Sequence, residues 1–373
     1  MKRTNEQWKD YMYSSRVAVS DTLKFTSSND PKDCVDPEHG ILYAMHDAGR
    51  TGYGEHYSTM VMLKMPIMQP HRAESIVIMD SGDTIDGVTY LDPVGATCIF
   101  MNGKVRVRFL ANHDNHYYFD FDPETNTISK IQPMTCSFDG QTYPLTASTA
   151  EKFLESRGMK DYNLYFDARE HLIDTSKPTL YNGAYYGCLS SGIMQPIVWK
   201  SVDGCHYELI SVIPKIAKYE CQMTICNGVF YALLRGAEGS NYYVSYDDGK
   251  TFKETGSRVP MSEAKPQILE YDGKVLIGHG VMDMLPNIMR NGRNCLRLLW
   301  GEGEDVSKYK EIFTIVDKYG IVCYDIIAYK GRLFMLWSNS ELFPEKQQWG
   351  MVHGKDLIWY ARIGDLDDYK EEK

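Results

Sequence analysis

Residues 225–234 of this chain read ICNGVFYALL, and residues 245–252 read SYDDGKTF. In the first stretch an Asn-Gly pair separates two apolar runs. This is typical of a tight β-hairpin, because asparagine and glycine adopt positive φ at little steric cost. In the second stretch the hydroxyl of Ser245 and the carboxylate of Asp247 can bond the local backbone of a turn. The two stretches together predict antiparallel strands joined alternately by two kinds of turn.

The first pattern recurs along the chain. Turn glycines stand between strand-like apolar runs at six positions, which are Gly40, Gly103, Gly183, Gly228, Gly273 and Gly331. The successive intervals are 63, 80, 45, 45 and 58 residues, and an interval near 45 fits one four-stranded propeller blade. We therefore predict an all-β fold, a six-bladed β-propeller. A seven-bladed propeller is the alternative, because the 80-residue interval could contain another blade.

The second pattern recurs out of phase with the first. Shorter forms of it are Ser201-x-Asp203-Gly204-x-x-Tyr207, Ser137-x-Asp139-Gly140-x-x-Tyr143 and Thr84-x-Asp86-Gly87-x-x-Tyr90. We expect all of them to form the same turn, in which the hydroxyl and the carboxylate bond the local backbone and the aromatic ring packs into the sheet.

Helical signals are few and suggest a simple domain organisation. Ser148 can cap a helix from Thr149 to Gly158, with Glu151 completing a capping box. Residues 1–30 are predicted to form a strap or a short helix. Residues 31–373 are predicted to form one propeller domain, with a helical insertion near residues 146–159.

Composition excludes several classes of partner. The chain has 373 residues, with 40 Lys and Arg against 50 Asp and Glu, and a net charge of -10. This balance disfavours nucleic acid, which needs a basic face. No run of about 18 apolar residues and no signal-peptide core is present, so no membrane association is expected. Nine cysteines without a CxxC pair predict reduced thiols and a cytoplasmic protein, unless the sequence is that of a trimmed secreted precursor.

The innermost strands of a propeller begin at the rim of its central channel. Residues seven or eight positions before each turn glycine should therefore converge at one mouth of the channel. These positions are Lys32 and Asp33, Gly95, Glu220, Lys265 and Tyr324. A ring of charged and phenolic side chains of this kind is a plausible site for a polyhydroxylated ligand.

The order of residues in the last three predicted blades resembles the sialidase superfamily of six-bladed propellers, whose Asp-boxes are similar to the second turn pattern. The similar residues are Glu220, Gly228, Arg235, the turn at 245–252, Lys265-Pro266-Gln267, Arg293 and Tyr324. The resemblance implies that Tyr324 is a nucleophile and that Glu220 is its base or orienting group. It also implies that Arg235 and Arg293 bind a substrate carboxylate in bidentate geometry. Arg290 and Arg297 are alternatives to Arg293.

Two features depart from the sialidase pattern. The first arginine of the family's triad has no counterpart, since this stretch offers only Lys32, whereas the arginine after the first hairpin is present as Arg50. The family's acid/base aspartate is missing, and Glu55 and His56 occupy that stretch. These departures leave room for an acidic sugar other than sialic acid, and for elimination in place of hydrolysis.

The leading functional prediction is an exo-acting glycoside hydrolase on a nonreducing-end acidic sugar of an oligosaccharide or glycan, with His56 or Glu55 as acid/base. One alternative is a uronate-directed lyase, in which Tyr324 or His56 removes the proton next to a carboxylate. Another is a carbohydrate-binding propeller without catalysis. The chemistry implies no cofactor and no metal. His113 and His116 suggest a metal site only weakly, because the sequence gives no third ligand.

Overall fold

The computed structural model describes fourteen parts of the chain. These are residues 3–20, 27–49, 59–113, 115–159, 173–174, 177–190, 195–215, 220–236, 239–259, 266–280, 295–316, 321, 323–338 and 357–369. In these ranges the strands form six main sheets and one separate two-stranded hairpin. The six sheets are the blades of a β-propeller. The six-bladed prediction is confirmed, and the seven-bladed alternative is wrong.

The first two blades follow an N-terminal helix. That helix and the first strand are α1 (Asn5–Ser15) and β1 (Val17–Ala18). Blade 1 consists of β2 (Ser27–Asp36), β3 (Ile41–Gly49), β4 (Thr59–Pro66) and β5 (Glu74–Asp80). A 3-10 helix (Pro70–Arg72) connects β4 to β5, and the hairpin of β6 (Thr84–Ile85) and β7 (Val88–Thr89) follows β5. Blade 2 consists of β8 (Val94–Met101), β9 (Lys104–Ala111), β10 (Asn115–Asp122), β11 (Thr127–Ile128) and β12 (Gln132–Pro133).

Blades 3 and 4 include the longest insertion. Blade 3 consists of β13 (Thr135–Phe138), β14 (Gln141–Pro144), β15 (Ile173–Asp174), β16 (Thr179–Tyr181), β17 (Ala184–Ser190), β18 (Ile197–Ser201) and β19 (His206–Val212). The helix α2 (Ala147–Ser156) lies between β14 and β15 in the chain. Blade 4 consists of β20 (Cys221–Cys226), β21 (Val229–Leu234), β22 (Ser240–Ser245) and β23 (Lys253–Val259).

Blades 5 and 6 complete the ring. Blade 5 consists of β24 (Gln267–Tyr271), β25 (Lys274–Gly280), β26 (Cys295–Gly301) and β27 (Lys310–Val316), with a 3-10 helix at Val306–Lys308. Blade 6 consists of β28 (Cys323–Tyr329), β29 (Arg332–Ser338) and β30 (Ile358–Asp365), with β1 as its outermost strand. The short helix α3 (Leu366–Tyr369) follows β30.

The inner hairpins have the predicted tight turns. Cys226 pairs with Val229 across a two-residue turn, and both turn residues have positive φ, 50° at Asn227 and 79° at Gly228. Blades 2, 3, 5 and 6 repeat this geometry with glycines at 103, 183, 273 and 331. The right-handed twist of the flanking strands favours this turn type, so each Asn-Gly or equivalent pair fixes the register of one inner hairpin.

The second turn pattern forms as predicted between β22 and β23. The Ser245 hydroxyl bonds Asp247 at 2.7 Å, and Asp247 accepts the backbone N–H of Thr251 at 2.9 Å. The turn after β18 is similar, because Asp203 accepts the N–H groups of Cys205 and His206, each at 2.9 Å. Hydroxyl and carboxylate therefore replace backbone partners in both turns.

The other two matches to that pattern fold differently, so the expectation of one common turn is wrong for them. At Ser137 the strands β13 and β14 join through a two-residue turn, and the Asp139 carboxylate accepts bonds from Arg157 at 3.0 Å. At Thr84 the turn also has two residues, and the Thr84 hydroxyl contacts the Thr89 hydroxyl at 2.9 Å. In both hairpins the aspartate is the first residue of the turn and has positive φ, 50° at Asp139 and 52° at Asp86, unlike Asp203 and Asp247.

The long interval between blades 2 and 3 contains an extension of blade 3. The strand β13 pairs in parallel with β19, which places the β13–β14 hairpin on the outer edge of that blade. Helix α2 packs on this edge through Phe153 and Leu154. Its N-cap is Thr146, whose hydroxyl accepts the N–H of Thr149 at 3.3 Å, in place of the predicted Ser148. The extra residues therefore widen a blade.

The ring closes with strands from both ends of the described chain. Val17 and Ala18 of β1 pair with Tyr360 and Trp359 of β30. The indole N–H of Trp8 in α1 donates to Asp368 at 2.7 Å. Blade 6 is thus held together by residues far apart in the sequence. Of the helices in the described ranges, none has the length and apolar character needed to cross a membrane.

Candidate functional site

The inner strands begin at the end of the blades opposite to the Asn-Gly turns. Gln267 and Asp325 lie near the start of β24 and β28, Asp33 lies in the second half of β2, and all three are buried. Lys177 lies two residues before β16. Buried polar side chains cost free energy unless they are hydrogen bonded, and hydrogen bonds join these four residues to one another.

We call Gln267, Asp325, Asp33 and Lys177 the polar belt. The Gln267 amide donates to Asp325 Oδ1 at 2.8 Å. The other oxygen of Asp325 accepts the backbone N–H of Asp33 at 3.0 Å. The Lys177 ammonium donates to Asp33 Oδ2 at 2.8 Å. The belt therefore joins blades 5, 6, 1 and 3 near the channel axis.

Burial dominates the electrostatics of the belt. The Asp33 side chain is 0% exposed, against 32% for that of Lys177. Burial raises the pKa of Asp33 well above its usual range, and the neighbouring carboxylate of Asp325 raises it further, while Lys177 opposes both. The positive charge of Lys177 thus partly offsets the negative charges of Asp33 and Asp325.

Tyr324 lies beside the belt. It is 2% exposed, and its hydroxyl has no hydrogen-bond partner among the residues that the structure describes. Burial raises the pKa of its phenol well above the usual range, and the charges of Asp325 and Glu220 raise it further. The phenol is therefore protonated at neutral pH, and it lies within the electrostatic influence of Glu220.

Glu220 and Arg235 form an ion pair at the edge of blade 4. A guanidinium nitrogen of Arg235 lies 2.5 Å from Glu220 Oε2, and the Arg235 backbone N–H donates to the Glu220 carbonyl at 3.0 Å. Their side chains are 20% and 13% exposed, for the glutamate and the arginine respectively. Glu220 immediately precedes β20 and Arg235 immediately follows β21, so the β20–β21 hairpin brings the two charges together.

The structure describes only some of the remaining predicted residues. Lys32 is buried in β2 beside Asp33. Gly95, another predicted rim position, lies in β8 with a φ of 64°. The predicted residues Arg50, Glu55, His56, Lys265 and Arg293, together with the alternative Arg290, lie outside the described residues.

Two further candidates, Arg297 as an alternative to Arg293 and His116 as a metal ligand, make other contacts in the described chain. Arg297 forms an ion pair with Glu311 at 2.9 Å, between the two outer strands of blade 5. It is therefore not brought to the channel mouth. His116 bonds the carbonyl of Leu145 at 3.2 Å. Within the described ranges no group of three or more His, Cys, Asp or Glu side chains is placed to hold a metal ion.

The sequence did not point to Lys177, Asp325 or Gly278 as parts of the site. Lys177 stands six positions before a turn glycine, so the rule that located the other rim residues would have found it with a tolerance of one position. Asp325 follows Tyr324 directly but points to the opposite side of β28. Gly278 carries no chemical signal, because its contribution is the space it leaves for the Tyr324 ring.

A cavity of about 330 Å³ lies next to the belt. Each inner strand contributes to its wall, through Asp33, Ile99, Thr179, Thr224, Ile268 and Ile327. It is therefore the central channel of the propeller. Asp33 and Lys177 also line it, so two residues of the belt face this channel.

Comparisons with solved structures identify the kind of propeller. A microbial sialidase, Hadza Hz136, superimposes with a TM-score of 0.62 over 94% of this chain and 68% of its own, at 11% identity. Trypanosoma rangeli sialidase in complex with the inhibitor DANA gives a TM-score of 0.57 over 97% and 58%, at 13% identity. The chain has a sialidase-like fold.

A third sialidase-like propeller, the phage phi92 endosialidase, matches with a TM-score of 0.58 over 96% of this chain and 70% of its own, at 12% identity. This chain spans little more than half the length of the Trypanosoma rangeli chains. No protein-family model matches the sequence, and no curated protein matches it either. The likeness is therefore one of fold.

Proposed function

We propose that this sialidase-like propeller is an exo-acting glycoside hydrolase that removes an acidic sugar from the nonreducing end of a glycan. The observation that supports the proposal is that Tyr324 and Glu220 both lie at the start of inner strands, where the charge of Glu220, ion-paired with Arg235, acts on the phenol. The solved Trypanosoma rangeli sialidase binds sialic acid and DANA, which supports a glycan as the ligand here.

In the proposed reaction the phenol oxygen of Tyr324 attacks the anomeric carbon. The bond to the leaving-group oxygen breaks, and the phenolic proton passes to Glu220 as the new bond forms. A neutral phenol suits an anionic sugar, because an anionic nucleophile would be repelled by the sugar carboxylate. Water then attacks the same carbon and breaks its bond to the tyrosine oxygen. The proton of the water passes to the group that protonated the leaving group, and Glu220 returns its proton to the phenol.

Arg235 has two proposed roles. Its positively charged guanidinium holds the Glu220 carboxylate in place through their ion pair. The same positive charge attracts the carboxylate of an acidic sugar to this edge of blade 4. We propose that Arg50, Arg293, Lys265 and Lys32 complete the carboxylate site, and that His56 or Glu55 protonates the leaving group.

The burial of Tyr324 favours a second candidate, a carbohydrate-binding propeller without catalysis. A nucleophile must be reached by its substrate, and this phenol is 2% exposed. The two candidates differ in whether the Tyr324 hydroxyl is needed for turnover.

The test is a comparison of wild type and Tyr324→Phe on a panel of aryl glycosides of nonulosonic and uronic acids. Because the hydroxyl has no partner among the described residues, its removal should change stability by less than about 1 kcal/mol. Turnover should fall by at least about a thousandfold. Tyr242→Phe is the matched control: its buried hydroxyl bonds Tyr309 at 2.9 Å in another part of the protein, so it should lose stability and retain turnover.

Three outcomes have different meanings. Full activity in Tyr324→Phe would exclude the nucleophile. Tight glycan binding by wild type with no turnover on any member of the panel would favour the binding propeller. Products that absorb in the ultraviolet through a new C=C bond would indicate elimination in place of hydrolysis.

A further inference from the structure

Gln267 and Gly278 are opposite each other in the ladder of β24 and β25, and both contact β28 of the next blade. The two blades belong to different sheets, so no backbone ladder aligns β24 with β28. Any alignment between them must come from side chains.

The Gln267 side chain makes three hydrogen bonds to consecutive residues of β28. Its amide nitrogen donates to the Tyr324 carbonyl at 2.7 Å and to Asp325 Oδ1 at 2.8 Å. Its amide oxygen accepts the Ile326 N–H at 2.8 Å. Both amide protons and one oxygen lone pair are used, and the group is 7% exposed. A buried, fully bonded amide of this kind fixes the main chain on both sides of Tyr324.

Gly278 provides the space for the Tyr324 ring. A Cβ at this position would lie 3.1 Å from Tyr324 Cε2, 3.3 Å from its hydroxyl oxygen and 2.6 Å from Ile326 Cδ1. These distances are shorter than ordinary van der Waals contact, so a larger residue would move the ring.

We propose that the cross-strand pair Gln267–Gly278 positions Tyr324 for reaction, Gln267 by holding its main chain and Gly278 by leaving room for its ring. The inference rests on the proposed function for its catalytic meaning. The geometric part, that the pair fixes where the phenol lies, can be tested without any activity.

The chemistry of the amide matters to this role. A neutral donor binds the Asp325 carboxylate without adding charge beside Tyr324. In Gln267→Glu at neutral pH, a second carboxylate would face Asp325, in a region that already holds Asp33, Glu220 and the ammonium of Lys177. Protonation of the new carboxyl would restore one donor. The isosteric Gln267→Met removes all three hydrogen bonds at every pH.

The experiment compares wild type, Gln267→Glu, Gln267→Met and Gly278→Ala by kinetics and by crystal structure. We expect kcat to fall by about 10- to 100-fold with KM changed by less than about threefold, because a small misplacement of a reacting group acts on the chemical step. The kcat deficit of Gln267→Glu should shrink as the pH falls, while that of Gln267→Met should stay constant. The crystal structures should show the phenol displaced in Gln267→Met and Gly278→Ala.

Each result decides the inference. A phenol that keeps its position in both Gln267→Met and Gly278→Ala overturns it, whether or not the protein is active. A displaced phenol with unchanged kcat also overturns it. If Tyr324→Phe retains full activity, the proposed function fails, while the crystal structures still decide whether the pair fixes the position of the tyrosine. Tyr242→Phe serves again as the control for a stability loss that should leave kcat unchanged.

Discussion

The two ends of the inner strands are built on different principles. At one end each strand enters a tight turn made by adjacent residues, as in Asn227 and Gly228. Toward the other end, buried polar side chains bond across blades, as in Asp33 and Lys177, which are 144 residues apart in the sequence. The first end defines the hairpins, and the second end brings blades together and carries the candidate site.

The difference predicts how much stability a substitution costs at each end of the inner strands. A turn pair mainly sets the backbone of its own exposed hairpin, although the Asn227 amide also donates to the Gly273 carbonyl of blade 5 at 2.9 Å. The polar belt is a chain of dependent contacts, so the loss of one group leaves another buried without compensation. We therefore expect changes in the belt to cost more stability than changes in the turns.

The largest expected effect is that of Lys177→Met. The Asp33 carboxylate, 0% exposed, would lose its ammonium, and the loss of one partner of a buried ion pair costs about 3–5 kcal/mol. The cost should depend on pH. The pKa of Asp33 is raised by burial and by Asp325, so the folded protein holds this proton more tightly than the unfolded chain. Stability from this group is therefore present at low pH and is lost as the pH rises through the folded-state pKa.

Removal of the ammonium raises the pKa of Asp33 further, so the difference between variant and wild type should be smaller at about pH 5 than at about pH 8. Urea unfolding at several pH values measures this difference. The double variant Lys177→Met/Asp33→Asn should recover part of the stability. A pH-independent loss that Asp33→Asn does not reduce would mean that the belt does not couple these two groups.

An intermediate effect is expected when two glycines of the same blade are compared. In Gly278→Ala, the added carbon lies against Tyr324 and Ile326, and overpacking of this kind costs about 1–3 kcal/mol. In Gly273→Ala, no atom lies within 4 Å of the added carbon, but φ is 71°, and a left-handed alanine costs about 1–2 kcal/mol. Gly273→Ala should keep full turnover, whereas kcat of Gly278→Ala should fall by about 10- to 100-fold. Thermal unfolding with kinetics of both variants tests the distinction, and equal turnover in the two would remove it.

The turn end could be predicted from the sequence because its causes are local. The positive φ of Gly228 and the side-chain bonds of Asp247 involve residues within four positions of each other. The position of Tyr324 at a strand start also followed from its distance to Gly331. The same local rules failed at Asp139, where a similar pattern of letters forms a different turn whose aspartate bonds Arg157 instead.

The belt end could not be predicted in the same way. Asp33 and Asp325 are 292 residues apart, and they meet only because the ring closes between blades 6 and 1. Nothing in the spacing of either residue specifies that partner. The contribution of Gly278 was also hidden, since an absent side chain gains meaning only when the neighbouring tyrosine is placed.

The smallest expected effect is at the outer turn. Bonds from Thr251 and Ser245 lower the pKa of Asp247 to about 2. Because the folded-state pKa is depressed, the stabilisation is present above the unfolded value of 3.8 and is lost as the pH falls through about 2. Asp247→Ala should cost about 1 kcal/mol at neutral pH, with unchanged turnover. Unfolding curves for both proteins between neutral and acid pH measure the difference, and a cost that persists at pH 2 would contradict the assignment.

The closure of blade 6 has a consequence for how the protein acquires its chemistry. Strand β1 pairs with β30, and the hydroxyl of Ser20 accepts the N–H of Ile358 across 338 residues. The loop that this contact closes is nearly as long as the chain. Closing it costs conformational entropy, so we expect the contact to form late in folding, when most other contacts already exist. The bond from Asp33 to Asp325 spans the same blade 6–blade 1 boundary. A partly synthesised or partly folded chain can thus contain five correct blades and still lack the candidate site. Any glycosidase activity would therefore indicate that all six blades have assembled.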